Sequence, residues 1–117
     1  MPKKMRMQAI SIACIIAAGS LQPVFAQTAS SYGSIVAVNT GWSADEFGVS
    51  TTTAVVNPAG CPYTDGYIIN SSEPGYNTFY AAVLTALSTG LQIAITVSNT
   101  QCTSGRPTII AVSVYNS

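Results

Sequence analysis

Apolar and polar positions along the chain follow two periods, and the change from one to the other falls at Gly90. Upstream of it, Phe79, Tyr80, Val83, Leu84 and Leu87 recur at helical spacing and share one face. Asn77 is the expected N-cap of this helix and Gly90 the expected residue just past its end. Downstream the period becomes two. Leu91, Ile93, Ile95 and Val97 alternate with Gln92, Ala94, Thr96 and Ser98, the pattern of a strand with one face in a core. Asn99 to Pro107 reads as a loop. The final strand, Thr108 to Tyr115, sets Ile110, Val112 and Val114 on one face and Ile109, Ala111, Ser113 and Tyr115 on the other. Apolar groups on both faces predict a central or doubly covered strand.

The upstream half reads as strands punctuated by turns. Ser34 to Val38 is apolar and β-branched, bounded by Gly33 and by Asn39-Thr40-Gly41. Trp42 to Glu46 has neither period and reads as a hairpin loop. Phe47 to Val56, with Val49, three threonines and Val55-Val56, favours a pleated half-buried surface. Asn57-Pro58-Ala59-Gly60 breaks it, because proline removes a ladder donor. Pro62 to Gly66 continues the turn chemistry, Tyr67 to Ile69 is a short third strand, and Asn70 to Gly75 is a polar connection. Gln27 to Tyr32 shows no pattern and reads as a mobile polar lead. The sum is a mainly β, α+β chain in the order β-β-β-α-β-β, the order of a five-stranded, partly open OB barrel.

The first 26 residues do not belong to that pattern. Lys3, Lys4 and Arg6 precede the apolar run Ala9 to Ala18, and Val24-Phe25-Ala26 is a small-residue cleavage site, so residues 1–26 read as a secretory signal. The apolar run is about half the ~20 residues that span a bilayer. A lipoprotein cleavage at Cys14 is the weaker alternative, since Ser11 stands where such a site wants leucine. Export to the periplasm or the medium is the expectation. Residues 27–117 then form a single domain of 91 residues, small enough to need a staple. Cys61 and Cys102, 41 residues apart, are an even pair in an exported chain and read as a disulfide. A metal site or a redox pair is the rival reading, weakened by the lack of histidine and of Cys-x-x-Cys spacing.

Charge excludes more than it suggests. Past residue 26, Arg106 stands alone against Asp45, Glu46, Asp65 and Glu73, a formal charge of −3. Nucleic acid and anionic membrane both require clustered Lys and Arg and are not expected partners, and no membrane insertion is expected. The helix face made of Ala81, Ala82, Thr85 and Ser88 is small and uncharged, which fits either cover by a second subunit or a general economy of charge. A homo-oligomer is therefore one expectation.

The run Tyr80 to Ile93, followed by a cysteine loop, Gly105-Arg106-Pro107 and a final Ile-Ile-x-Val-x-Val strand, resembles a group of small exported bacterial proteins. More distantly it is similar to the B subunits of pentameric toxins such as subtilase cytotoxin. The resemblance covers about the last third of residues 27–117. It implies an OB-like fold, ring assembly and binding of cell-surface glycans, and carries no glycan-contacting residue onto this chain.

Catalysis is not expected. The usual general base is missing with histidine, and Ser-Lys chemistry is missing because residues 27–117 contain no lysine. Asp45 and Glu46 are adjacent in one loop and point apart if extended, which does not suit paired-carboxylate hydrolysis, while Asp65 and Glu73 read as solvated turn residues. No cofactor is expected. Binding has better support. Trp42, with Asp45 beside it, puts an aromatic face among short polar groups, as a sugar or protein surface requires, although it equally suits a ring folded back to cap a barrel end. Tyr63, Tyr67 and Tyr76 extend that surface or plug the barrel. Arg106 is expected to be held by a carboxylate or by a carbonyl-rich loop. Asn70-Ser71-Ser72 fits a glycosylation sequon that a bacterial chain would leave bare.

Overall fold

The computed structural model describes residues 27–41 and 44–116. The signal-peptide reading of residues 1–26, with Cys14, lies outside them. Six strands and one helix follow in the order β1 (Gln27–Ala29), β2 (Ile35–Thr40), β3 (Glu46–Thr51), β4 (Tyr67–Asn70), α1 (Tyr76–Thr89), β5 (Gln92–Thr103) and β6 (Arg106–Tyr115). They form one open sheet in the order β1-β5-β6-β4-β3-β2, in which β4 and β6 are parallel and the other neighbours antiparallel. The class is α+β and mainly β, with β6 central.

The additional strand is β1, where the sequence reads as an unstructured lead. Its order comes from its partner. Gln27, Thr28 and Ala29 pair with Ser98, Val97 and Thr96, and Ser30 both donates its N–H to the Ile95 carbonyl and receives the Ile95 N–H on its hydroxyl. Gly33 then bridges Ile93 before the chain turns into β2. β3 ends at Thr51, five residues short of the expected strand. Beyond it, Val55 and Val56 pack on the core without a ladder partner, and the Val56 N–H donates to the Tyr67 hydroxyl at 3.1 Å.

The core is built from Phe47, Val49, Tyr67, Ile69, Val83, Ala86, Ile93, Ile95, Val97 and Ile109. Ile109 and Val112 both join it although they are three positions apart, and a register shift explains this. Thr96 pairs with Ala111 but Val97 with Ile109, so Ile110 is an extra residue that reverses which side chains face inward. The apolar character of both faces of β6 is the trace of that bulge.

Helix α1 starts one residue before the expected Asn77 cap. Gly75 is its N-cap, at φ 85°, and the Phe79 ring lies where a Cβ on Gly75 would go, 2.4 Å away. Gly90 ends the helix, its N–H bonded to the Ala86 carbonyl. The buried face is rotated from the expected one. Tyr76, Phe79, Tyr80, Val83 and Ala86 face the sheet, with the Phe47 ring 5.3 Å from Tyr76 and 4.9 Å from Tyr80. Leu84 and Leu87 are left 39% and 46% exposed. The reason is size, since Ala86 permits a closer approach to the strands than leucine would.

Cys61 and Cys102 form the expected disulfide. No helix among the described residues is long and apolar enough to cross a membrane.

Candidate functional site

A cleft of about 290 Å³ opens on the outer face of β2, β3 and β4, beside the turn that joins β5 to β6. Its floor follows from the pleat of β3. Phe47 and Val49 point into the core, so Glu46, Gly48 and Ser50 alternate outward. Gly48 carries no side chain there because Ile68 Cδ1 lies 2.7 Å from where its Cβ would be. Ile68 supplies an apolar patch among polar neighbours, and Asn39 contributes from β2.

The far wall is the β5–β6 turn. The expected long loop from Asn99 to Pro107 is instead mostly strand, and only Ser104 and Gly105 turn the chain, at φ 50° and 80°. Two consecutive positive φ values match the twist of the flanking strands in a two-residue hairpin. The opposing segment, residues 57–66, is set by local bonds. The Gly60 N–H closes a turn on the Asn57 carbonyl, with Pro58 and Gly60 at the positions that such a turn favours. The Asn57 amide donates to the Cys61 carbonyl and accepts from the Cys61 N–H, both at 2.8 Å. The disulfide then ties Cys61 to the strand that ends in the turn.

That covalent tie sets up the polar contacts. The Tyr63 N–H donates to the Gly105 carbonyl at 2.9 Å, and its ring lies under the Arg106 guanidinium, 5.0 Å from centroid to Cζ. Arg106 donates from Nε and Nη2 to the two carboxylate oxygens of Asp65, at 2.5 and 3.0 Å, and from Nη1 to the Ser104 carbonyl at 3.1 Å. The hydrogen bond from Arg106 holds the Asp65 carboxyl below its ordinary pKa, outweighing the opposing effect of desolvation. Asp65 is thus the partner of the chain's lone cation past residue 26 while staying a solvated residue of the connection, 66% exposed.

Glu46 is a correction. Assigned by sequence to a hairpin loop, it opens β3, is only 7% exposed, and accepts hydrogen bonds from the Ser104 hydroxyl at 2.9 and 3.2 Å.

The sequence-marked residues therefore separate. Arg106 lines the cleft, and Tyr63 does not, its ring lying against the Arg106 guanidinium. Asp45 does not line it; its carboxylate accepts from the Tyr76 hydroxyl at 3.1 Å, towards the helix. Tyr76 is correspondingly raised in pKa, by burial first and then by this bond. Tyr67 is buried and also raised, chiefly by desolvation. Trp42 lies outside the described residues. Cys61 and Cys102 act as the tie between the walls. Sequence reasoning missed Glu46, Asn39 and Ser104. The available signal was the Ser104-Gly105 dipeptide, a turn former that shortens the loop and brings Ser104 back against β3.

Among the described residues, no group of three His, Cys, Asp or Glu side chains is arranged to hold a metal ion. In comparisons with known proteins, no family model, curated protein or solved structure matches the chain.

Proposed function

We propose that the chain is a small exported, non-catalytic binding module that takes a saccharide in the cleft between β3 and the Ser104–Gly105 turn. The observation that carries this reading is the lining itself. Ile68 offers an apolar patch at the floor, and Glu46, Asn39 and Ser50 offer hydrogen-bonding groups around it. Sugars present the same alternation of apolar C–H faces and hydroxyls. The disulfide supports export, since such bonds persist in oxidising compartments.

An OB-type barrel is the finer fold proposed. Its support is that the two ends of the open sheet, β1 and β2, are consecutive in the chain and meet at Gly33, which bridges β5. Taken as one bent strand, β1 and β2 reduce the count to five. The cleft then falls on the face, and beside the turn, that such barrels use for oligosaccharides and oligonucleotides. With Arg106 the single basic residue past residue 26, the oligosaccharide is favoured over the oligonucleotide.

A glycan array probed with the wild type, Trp42→Ala and a cleft-filling Ser50→Tyr variant tests the reading. Binding by the wild type that Ser50→Tyr abolishes is the expected result. An array left blank by all three proteins sinks it.

A second reading, a self-associating protein such as a ring-forming subunit, is favoured by one observation. Leu84 and Leu87 are exposed on a helix that carries no charged residue. A mass measured in solution above that of one chain supports it, and a clean monomer counts against it.

A further inference from the structure

The cleft contains one cation and two carboxylates, and the way they are paired bears on what can enter. Three of the five guanidinium N–H groups of Arg106 are engaged, two with the Asp65 carboxylate, which neutralises its charge, and one with the Ser104 carbonyl. Glu46 is in the opposite condition. The residue is more than nine-tenths buried at the cleft wall, and the Ser104 hydroxyl is its side-chain donor among the described residues. An ionised carboxylate has about four lone-pair sites, so a single hydroxyl leaves it short of donors. A desolvated acceptor that lacks donors costs free energy until something supplies them.

We infer that the cleft selects a non-acidic saccharide, uncharged or amine-bearing, whose O–H or N–H groups donate to Glu46, and that it rejects acidic glycans. The inference rests on the reading of the cleft as a saccharide site and names the class it takes. Glu46, Asp65 and Arg106 together leave one net negative charge at the wall. An acidic ligand would set a like charge beside Glu46 in a partly desolvated space, and the cation that would compensate it is held by Asp65. Asp65 therefore acts as a guard on Arg106, and Glu46 as the group that reads the ligand.

The test is an array of matched sets, each neutral oligosaccharide printed beside its sialylated and its amine-bearing counterpart. It is probed with the disulfide-intact wild type, Glu46→Gln and Asp65→Asn. The wild type is expected to hold the neutral and amine-bearing members and to leave the sialylated ones. Glu46→Gln is expected to weaken the neutral members roughly tenfold, the loss of one charge-assisted hydrogen bond. Asp65→Asn frees the guanidinium and is expected to gain binding of sialylated members, a gain that misfolding cannot imitate. A wild type that prefers the sialylated members overturns the selection while leaving the cleft a saccharide site. Asp65→Asn that keeps neutral binding and gains none of the acidic members also overturns it. An array on which no member binds removes the saccharide reading and the selection with it.

Discussion

The helix wall and the cleft wall of this small domain are held by opposite means. Helix α1 has no charged residue and rests on the sheet through Tyr76, Phe79, Tyr80, Val83 and Ala86. The cleft wall has little apolar burial. It is held by one disulfide, a two-point ion pair and a set of turn hydrogen bonds. Apolar contact is non-directional and holds the wall without placing polar groups at fixed positions. Directional bonds place donors and acceptors at fixed positions, which a recognition surface requires. The domain thus concentrates its polar chemistry at one place and uses hydrophobic burial elsewhere.

Removing the disulfide should have the largest effect. A closed loop of 41 residues is worth about 4 kcal/mol on the chain-entropy account. Replacing both Cys61 and Cys102 by alanine should lower the chemical-denaturation midpoint accordingly and abolish binding in the cleft. Loss of stability with binding intact would show that the cleft wall does not depend on the tie.

Val83→Ala attacks the helix wall instead. Val83 is fully buried, and losing its two methyls should cost about 2 kcal/mol with part of the cavity left unfilled. Saccharide binding should be unchanged once the protein is folded. A change in binding affinity would show that the two walls are coupled.

The ion pair gives a smaller, pH-dependent effect. The folded-state pKa of Asp65 is depressed, so its stabilisation is fully present above the ordinary carboxylate value and is lost as pH falls through the folded value. The carboxylate is 66% exposed, so the gap between wild type and Asp65→Asn should stay below about 1 kcal/mol at neutral pH. Thermal unfolding in a series of acid buffers should show the gap closing. A gap that widens towards acid would reverse the sign argued here.

Leu84→Glu and Leu87→Glu should be nearly silent, within about 0.5 kcal/mol, because both side chains already meet solvent. A much larger loss, together with a fall in mass in solution, would place this face inside an assembly.

How much of this was legible depended on whether the information was local. The helix is marked by its own periodicity and by Gly90, and the Cys61–Cys102 pair is marked by the expectation of export and an even count past residue 26. β1 is polar and patternless because its order comes from β5 rather than from its own residues. The helix is legible but its buried face is not, because leucine outranks alanine on a hydrophobic count while close packing on a sheet favours the smaller residue. Glu46 was misplaced for the same reason as Ser104. A two-residue turn brings β6 back at once, so a carboxylate distant in sequence finds a hydroxyl donor and can be buried. Arg106 was legible in kind, as a cation needing a carboxylate, while the choice of Asp65 depended on where the disulfide sets residues 57–66.

The central claim is that the outer face of β3 beside the Ser104–Gly105 turn is where a ligand binds. The most direct measurement is an amide NMR titration of the isotope-labelled protein with a glycan selected from the array. Shifts are expected at Asn39, Glu46, Gly48, Ser50, Ser104 and Arg106, with α1 unmoved. Shifts confined to the Leu84 and Leu87 face would contradict it.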